Sequence, residues 1–116
     1  MSLHDRETYR TFIGSFPGAT LAEQWEALVA KVGGKAFCLR GNETGVLVFK
    51  VSELAFDGLV ELDGIAQAAY FAKRQWVRVE PDALAEDLLR GYIEQSYRTI
   101  AGKLTRKQRA ELGLAP

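Results

Sequence analysis

The chain has 116 residues, 47% hydrophobic and 26% charged, and its fifteen basic and fifteen acidic residues cancel. That is the length of one domain, large enough to bury a core without disulfide or metal staples. A single cysteine, Cys38, and a single histidine, His4, exclude a disulfide scaffold and a zinc finger, and the balanced charge gives no overall pull toward nucleic acid or membrane.

In chain order, Tyr9, Phe12, Ile13 and Phe16 fall at i, i+3, i+4 and i+7 and predict a helix. Ser2 or Asp5 caps its start, and Gly14 through Pro17-Gly18 ends it. The stretch from Thr20 to Val32 carries two signals. Thr20 and Glu23 make a capping-box pattern, and Leu21, Trp25, Leu28, Val29 and Val32 approach helical spacing. Against a helix, Val29–Val32, Gly33-Gly34 and Lys35–Arg40 have the form of a hairpin with a two-glycine loop, which favours a strand from about Glu26 to Val32. A turn at Gly41–Gly45 leads into Val46–Val51, apolar on both faces and read as a central strand covered on each side.

Ser52 caps a short helix with Leu54, Ala55, Gly58 and Leu59 on one face, Val51 stapled to Phe56, and an end near Asp63-Gly64. Residues 65–72 are small, apolar and irregular. Arg74–Val79 alternates as a strand, with Gln75, Val77 and Val79 on one face and Arg74, Trp76 and Arg78 on the other. Pro81-Asp82 opens the longest helix, with Leu84, Leu88, Leu89, Tyr92, Ile93, Tyr97, Ile100 and Leu104 as its stripe. Glu86 and Asp87 near its start and Lys103 near its end suit the helix dipole. Thr105 and Gln108 form a second capping box for a last short helix ending at Gly113, followed by a short frayed tail. Strands cluster rather than alternate with helices, so the expected fold class is α+β with an antiparallel sheet, in one domain over residues 1–116.

No apolar run approaches the ~18 residues of a membrane helix. The polar N-terminus, read as mobile and carrying His4, shows no secretory signal. With a free cysteine, this points to the cytoplasm.

Three segments together resemble the MmcQ/YjbR family of small bacterial proteins. They are the hairpin Lys31–Phe37, the stretch Ala69-Tyr70-Phe71-Ala72-Lys73-Arg74-Gln75-Trp76-Val77-Arg78-Val79, and Ser96-Tyr97-Arg98 followed by Lys103-Leu104 and a terminal helix with Arg109. Their order and spacing match from about residue 5 to residue 112. The resemblance implies an α+β fold of the frataxin/CyaY-like kind. That fold is also compared with the "double wing" DNA-binding domain of a phage transcription factor, and members are commonly labelled DNA-binding. One departure is Gln67-Ala68-Ala69-Tyr70, which lacks the proline the family often carries before its tyrosine and implies a less rigid linker.

Charge is unevenly distributed. Segment 64–79 holds Lys73, Arg74 and Arg78 and no acid, and segment 98–109 holds Arg98, Lys103, Arg106, Lys107 and Arg109 and no acid. Low-specificity binding of double-stranded DNA is therefore the leading expectation. Its phosphate contacts come from Lys35, Lys73, Arg74 and Arg78, with Trp76 stacking if it is exposed. The alternative is a non-catalytic protein-interaction or small-ligand module, marked by an apolar patch around Tyr70-Phe71. No enzyme motif occurs, and Cys38 reads as a small buried hydrophobe. Asp5, Glu7, Glu23 and Glu26 read as a solvated face rather than metal ligands. No cofactor or metal is expected, and the protein is expected to be a monomer.

Overall fold

In the computed structural model, which describes residues 1–114, the first helix is α1 (Arg6–Gly14). It starts at Asp5, whose carboxylate accepts the backbone N–H and the hydroxyl of Thr8, each at 3.0 Å. The segment before it is not loose. Leu3 is fully buried, and its N–H donates to the Glu86 carboxylate at 3.0 Å. His4 is held by Nδ1 on the Gly45 carbonyl at 2.7 Å, and its own carbonyl accepts Arg40 Nε at 2.7 Å. The expectation of a mobile N-terminus is thus corrected: an apolar residue at position 3 fills a place in the core.

The stretch from Thr20 to Val32 forms two strands and no helix. β1 (Ala19–Gln24) and β2 (Ala27–Val32) pair antiparallel across a two-residue turn, Trp25-Glu26, with Gln24 opposite Ala27. The capping-box pattern hid β1, because pairing with β2 outweighs a local helix signal. Glu23 does not cap a helix; it binds Arg6 Nη2 at 2.5 Å and Asn42 Nδ2 at 2.9 Å. β3 (Lys35–Gly41) follows the Gly33-Gly34 turn, both glycines at positive φ as the hairpin requires. Register passes from Ala30↔Cys38 to Lys31↔Ala36, so Phe37 is the extra residue of a bulge. The bulge turns Phe37 and Cys38 to the same side. There Phe37 packs edge-on against Phe16 and Tyr97, at 6.0 and 5.3 Å between ring centroids.

β4 (Leu47–Lys50) lies between β3 and β6 (Trp76–Val79), and β5 (Ile65–Gln67) closes the far edge. The sheet order is β1-β2-β3-β4-β6-β5, with every neighbouring pair antiparallel. β5 falls within the stretch read as irregular; three residues are too few for a period to be visible. α2 (Glu53–Leu59) is capped by Ser52 and stops at Leu59. It buries Phe56 and Leu59, while Leu54 is exposed. α3 (Glu86–Gly102) begins five residues later than Pro81. Residues 80–83 instead form a turn, with Ala83 N–H on the Glu80 carbonyl and Asp82 at φ +67°. Its buried stripe is Leu89, Ile93, Ser96, Tyr97, Ile100 and Ala101, so Leu84 and Leu88 drop out of the expected face. α4 (Arg106–Glu111) has the reciprocal Thr105–Gln108 capping box. Ala115 and Pro116, the end of the tail read as frayed, lie outside the described residues.

α1 and α3 pack on one face of the sheet and α2 on β6, enclosing a core that includes Tyr9, Ile13, Phe37, Leu47, Phe49, Val77, Val79, Leu89 and Ile93. The opposite face carries only a thin cluster: Ala27, Val29, Leu39, Ala68 and Trp76, with Ala36, Val48 and Phe71 at its margin. Cover on both sides of β4 is therefore only half met. Leu47 and Phe49 are fully buried, but Val48 stays partly open.

Candidate functional site

The open face begins with one row of the sheet. Val29, Leu39, Val48 and Arg78 are register partners across β2, β3, β4 and β6. Leu39 and Val48 form the floor of a groove of about 650 Å³. The turns that leave the two edge strands supply its walls: Trp25-Glu26 after β1, and Ala69-Tyr70-Phe71 after β5. Gly41, Thr44 and Val46 complete one end.

Both walls hold a large aromatic ring out in solvent. Trp25 is 70% exposed and Tyr70 fully exposed. Each sits on left-handed backbone, at φ +53° and +70°, where residues other than glycine are strained. The Tyr70 loop is fixed despite lacking a proline. Gln67 Nε2 donates to the carbonyls of Ala68 at 2.8 Å and Phe71 at 3.3 Å, and Gln67 Oε1 accepts the Arg74 N–H at 2.9 Å. Phe71 lies on Trp76 with 4.5 Å between ring centroids.

The family model YjbR matches residues 14–99. This chain belongs to the MmcQ/YjbR family. The crystal structure of Deinococcus radiodurans protein DR2400, of the DUF419 family model, is similar at TM-score 0.84 and 26% identity, covering 94% of this chain and 88% of that one. A protein from Pseudomonas syringae shares the fold at TM-score 0.68 and 18% identity, covering 83% of this chain and 98% of that one. No curated protein matches the chain.

The five residues singled out as DNA contacts in this MmcQ/YjbR chain are divided by the fold. Trp76 is only 8% exposed, covered by Phe71 on one side and with Lys50 Nζ 5.8 Å from its ring centroid. It has no free face for a base. Arg74 is bound by Asp57 at 2.8 Å and lies 3.7 Å from Glu53; the Asp57 hydrogen bond and charge, then Glu53, hold its pKa up. Arg78 is paired with Glu80. Lys35 and Lys73 are exposed and make no ion pair among the described residues.

Sequence reasoning passed over two features. One is Trp25, whose signal was its place between two strand-length segments. The other is the packing of the turn before Lys35 against the basic segment 98–109, two stretches that the sequence showed only separately. The β2–β3 turn rests on the α3–α4 junction so closely that a Cβ on Gly33 would lie 2.6 Å from Leu104 Cδ2. This sets the turn that leads into Lys35 beside the junction that holds Lys103. Lys50 donates from Nζ to Gln75 Oε1 at 2.7 Å; burial and then the nearby Lys103 push its pKa down.

Cys38 and Tyr9 belong to the core on the face of the sheet opposite the groove. Cys38 is fully buried, and burial pushes its thiol up to about 12. Tyr9, with its hydroxyl on the Leu28 carbonyl at 3.0 Å, is likewise raised by burial. Among the described residues no group of three or more His, Cys, Asp and Glu is arranged to hold a metal, and no helix is long and apolar enough to cross a membrane.

Proposed function

We propose that this MmcQ/YjbR protein is a non-catalytic binding module whose open-face groove takes a small molecule bearing an aromatic ring. The observation that carries the reading is the pair of exposed rings, Trp25 and Tyr70, held on strained backbone on either side of an apolar floor. Strained backbone persists where the surrounding structure enforces it, and it concentrates at ligand clamps. A groove of about 650 Å³ is of the size that small ligands occupy. The test is a titration with naphthalen-2-ylmethanol, a neutral two-ring probe, followed by ¹H–¹⁵N NMR. Saturable shifts confined to Glu26, Leu39, Val48 and Ala69–Phe71 are expected. An unperturbed spectrum at millimolar probe refutes the reading.

DNA binding is a second reading, and one observation favours it. The turn that carries Lys35 rests on the α3–α4 junction that carries Lys103 and Arg106, and none of Lys35, Lys103, Arg106 and Lys107 makes an ion pair among the described residues. If phosphates bind there, labelled duplex DNA binds with an affinity that falls log-linearly with salt. The double variant Lys35→Ala/Lys103→Ala then reduces the salt slope by about two, since each phosphate contact contributes about 0.9. Arg74→Ala leaves the slope unchanged, because that guanidinium is already bound by Asp57 and faces Glu53. Failure to bind at low salt rejects the reading.

A further inference from the structure

The geometry points to an aromatic carboxylate as the ligand of the open-face groove, with Arg78 as the anchor of its acid group; this rests on the groove reading above. Among the described residues Arg78 is the one cation lining the groove, on β6 beside the edge strand, between Val48 on β4 and Ala66 on β5. Its guanidinium is only partly used. Nη1 is bound to Glu80, while Nε and Nη2 have no hydrogen-bond partner among the described residues. A guanidinium presents five N–H groups in a planar fork and engages two carboxylates at once, so Glu80 does not exhaust it. The half-exposed pair stays open to solvent, and a second carboxylate reaches the free edge without first breaking the first bond.

The remaining lining is apolar or neutral except for Glu26. Glu26 stands in the exposed turn before β2, three strands from Arg78 in the sheet order. At ~4.8 Å between strands that separation is roughly 14 Å, beyond a Debye length at physiological salt. An anion therefore meets attraction at Arg78 and little repulsion from Glu26. A ring on Leu39 and Val48 lies between Trp25 and the Tyr70-Phe71 wall, and its carboxylate falls on the free edge of Arg78.

The test compares naphthalene-2-carboxylate with the neutral naphthalen-2-ylmethanol on the intact protein, again by ¹H–¹⁵N NMR. The carboxylate is expected to bind roughly tenfold or more tighter, the range for a hydrogen-bonded charge. Arg78→Met is expected to abolish that preference, the carboxylate then binding no more tightly than the alcohol. Glu80→Gln, which frees Nη1, is expected to raise carboxylate affinity several-fold, and it serves as the readout if Arg78→Met does not fold. Equal affinity of the two probes for the unsubstituted protein overturns the carboxylate assignment while leaving the groove reading intact. A preference that survives Arg78→Met, or carboxylate affinity unmoved by Glu80→Gln, overturns Arg78 as anchor. Binding of neither probe overturns the groove reading itself.

Discussion

Replacing Trp25-Glu26 by Asn-Gly should make the protein more stable and a poorer binder. The two residues form the whole of the β1–β2 turn, at φ +53° and +60°. Left-handed backbone costs a residue with a Cβ about 1–2 kcal/mol, whereas glycine adopts it freely and asparagine does so readily. Relief at both positions comes to about 2–4 kcal/mol gross. Glycine's extra freedom in the unfolded chain takes back roughly 0.5–1 kcal/mol. Packing loss is small, since Trp25 is 70% exposed, and the bond from Asn42 N–H to the carbonyl of residue 26 does not depend on the side chain. The net gain is about 1–3 kcal/mol, with Asn-Gly the preferred pair for such a turn. Urea unfolding should show a higher midpoint at unchanged slope. Thermal unfolding should rise by about 4 °C per kcal/mol for a chain of this size. Affinity for the naphthalene probes should fall in the same variant, because one wall of the groove is gone. A variant of equal or lower stability would refute the reasoning: Trp25 would then contribute packing that outweighs the cost of its backbone.

Ser96→Ala should cost about 2–4 kcal/mol, because two buried backbone groups lose their partner. Ser96 Oγ donates to the Phe37 carbonyl at the bulge, at 2.6 Å, and accepts the Lys50 N–H at 3.0 Å; urea unfolding measures the loss. Cys38 should not react with a disulfide reagent in the native state at pH 8 and should react fully once unfolded, since its thiol is pushed up to about 12. Acidification should destabilise the fold in a narrow window. Thr8 hydrogen bonds hold Asp5 below its ordinary 3.8, and Arg6, then Asn42, hold Glu23 below its ordinary 4.5. A lowered folded-state pKa means stabilisation present above the ordinary value and lost as pH falls through the folded one. The urea midpoint should hold to about pH 5 and then decline, less steeply in Asp5→Asn.

Features with a local cause were legible in the sequence. Gly33-Gly34 can hardly be anything but a tight hairpin, Ser52 and Thr105 cap helices through their own hydroxyls, and Leu89, Ile93, Tyr97 and Ile100 repeat at the period of a helix pressed on a sheet. Features set by distant partners were not. β1 exists because β2 pairs with it, and its residues carry an equally good helix signal. Pro81-Asp82 looks like a helix start, yet the chain must first turn beside Gly64, where a Cβ would lie 2.8 Å from Ala83 Cβ. Within the candidate site, Tyr70-Phe71 was visible as a patch of adjacent aromatics. The alternation of β6 put Trp76 and Arg78 on one face, but alternation does not say whether that face is covered. Phe71 covers Trp76, and it arrives from a loop whose path no period encodes.

That loop also argues that the open face is a built surface rather than an unfinished one. A chain seeking only cover for Leu39 and Val48 would turn both aromatics of Tyr70-Phe71 inward, since burying a large apolar side chain is worth about 1.5–3 kcal/mol. Here Phe71 turns in and Tyr70 turns out, at φ +70°. Gln67 commits both ends of its amide to holding the loop in that shape. A ring exposed by a loose loop loses rotational and backbone freedom when it closes on a ligand, whereas a ring exposed by a braced loop has already lost it in folding. Removing the brace should therefore weaken binding without touching the groove lining. In Gln67→Ala the Ala69–Phe71 amides should exchange faster with solvent, and naphthalene-2-carboxylate should bind several-fold more weakly. The apolar floor and the free edge of Arg78 stay as they are. Unchanged affinity alongside faster exchange would show that the groove does not depend on a preset Tyr70.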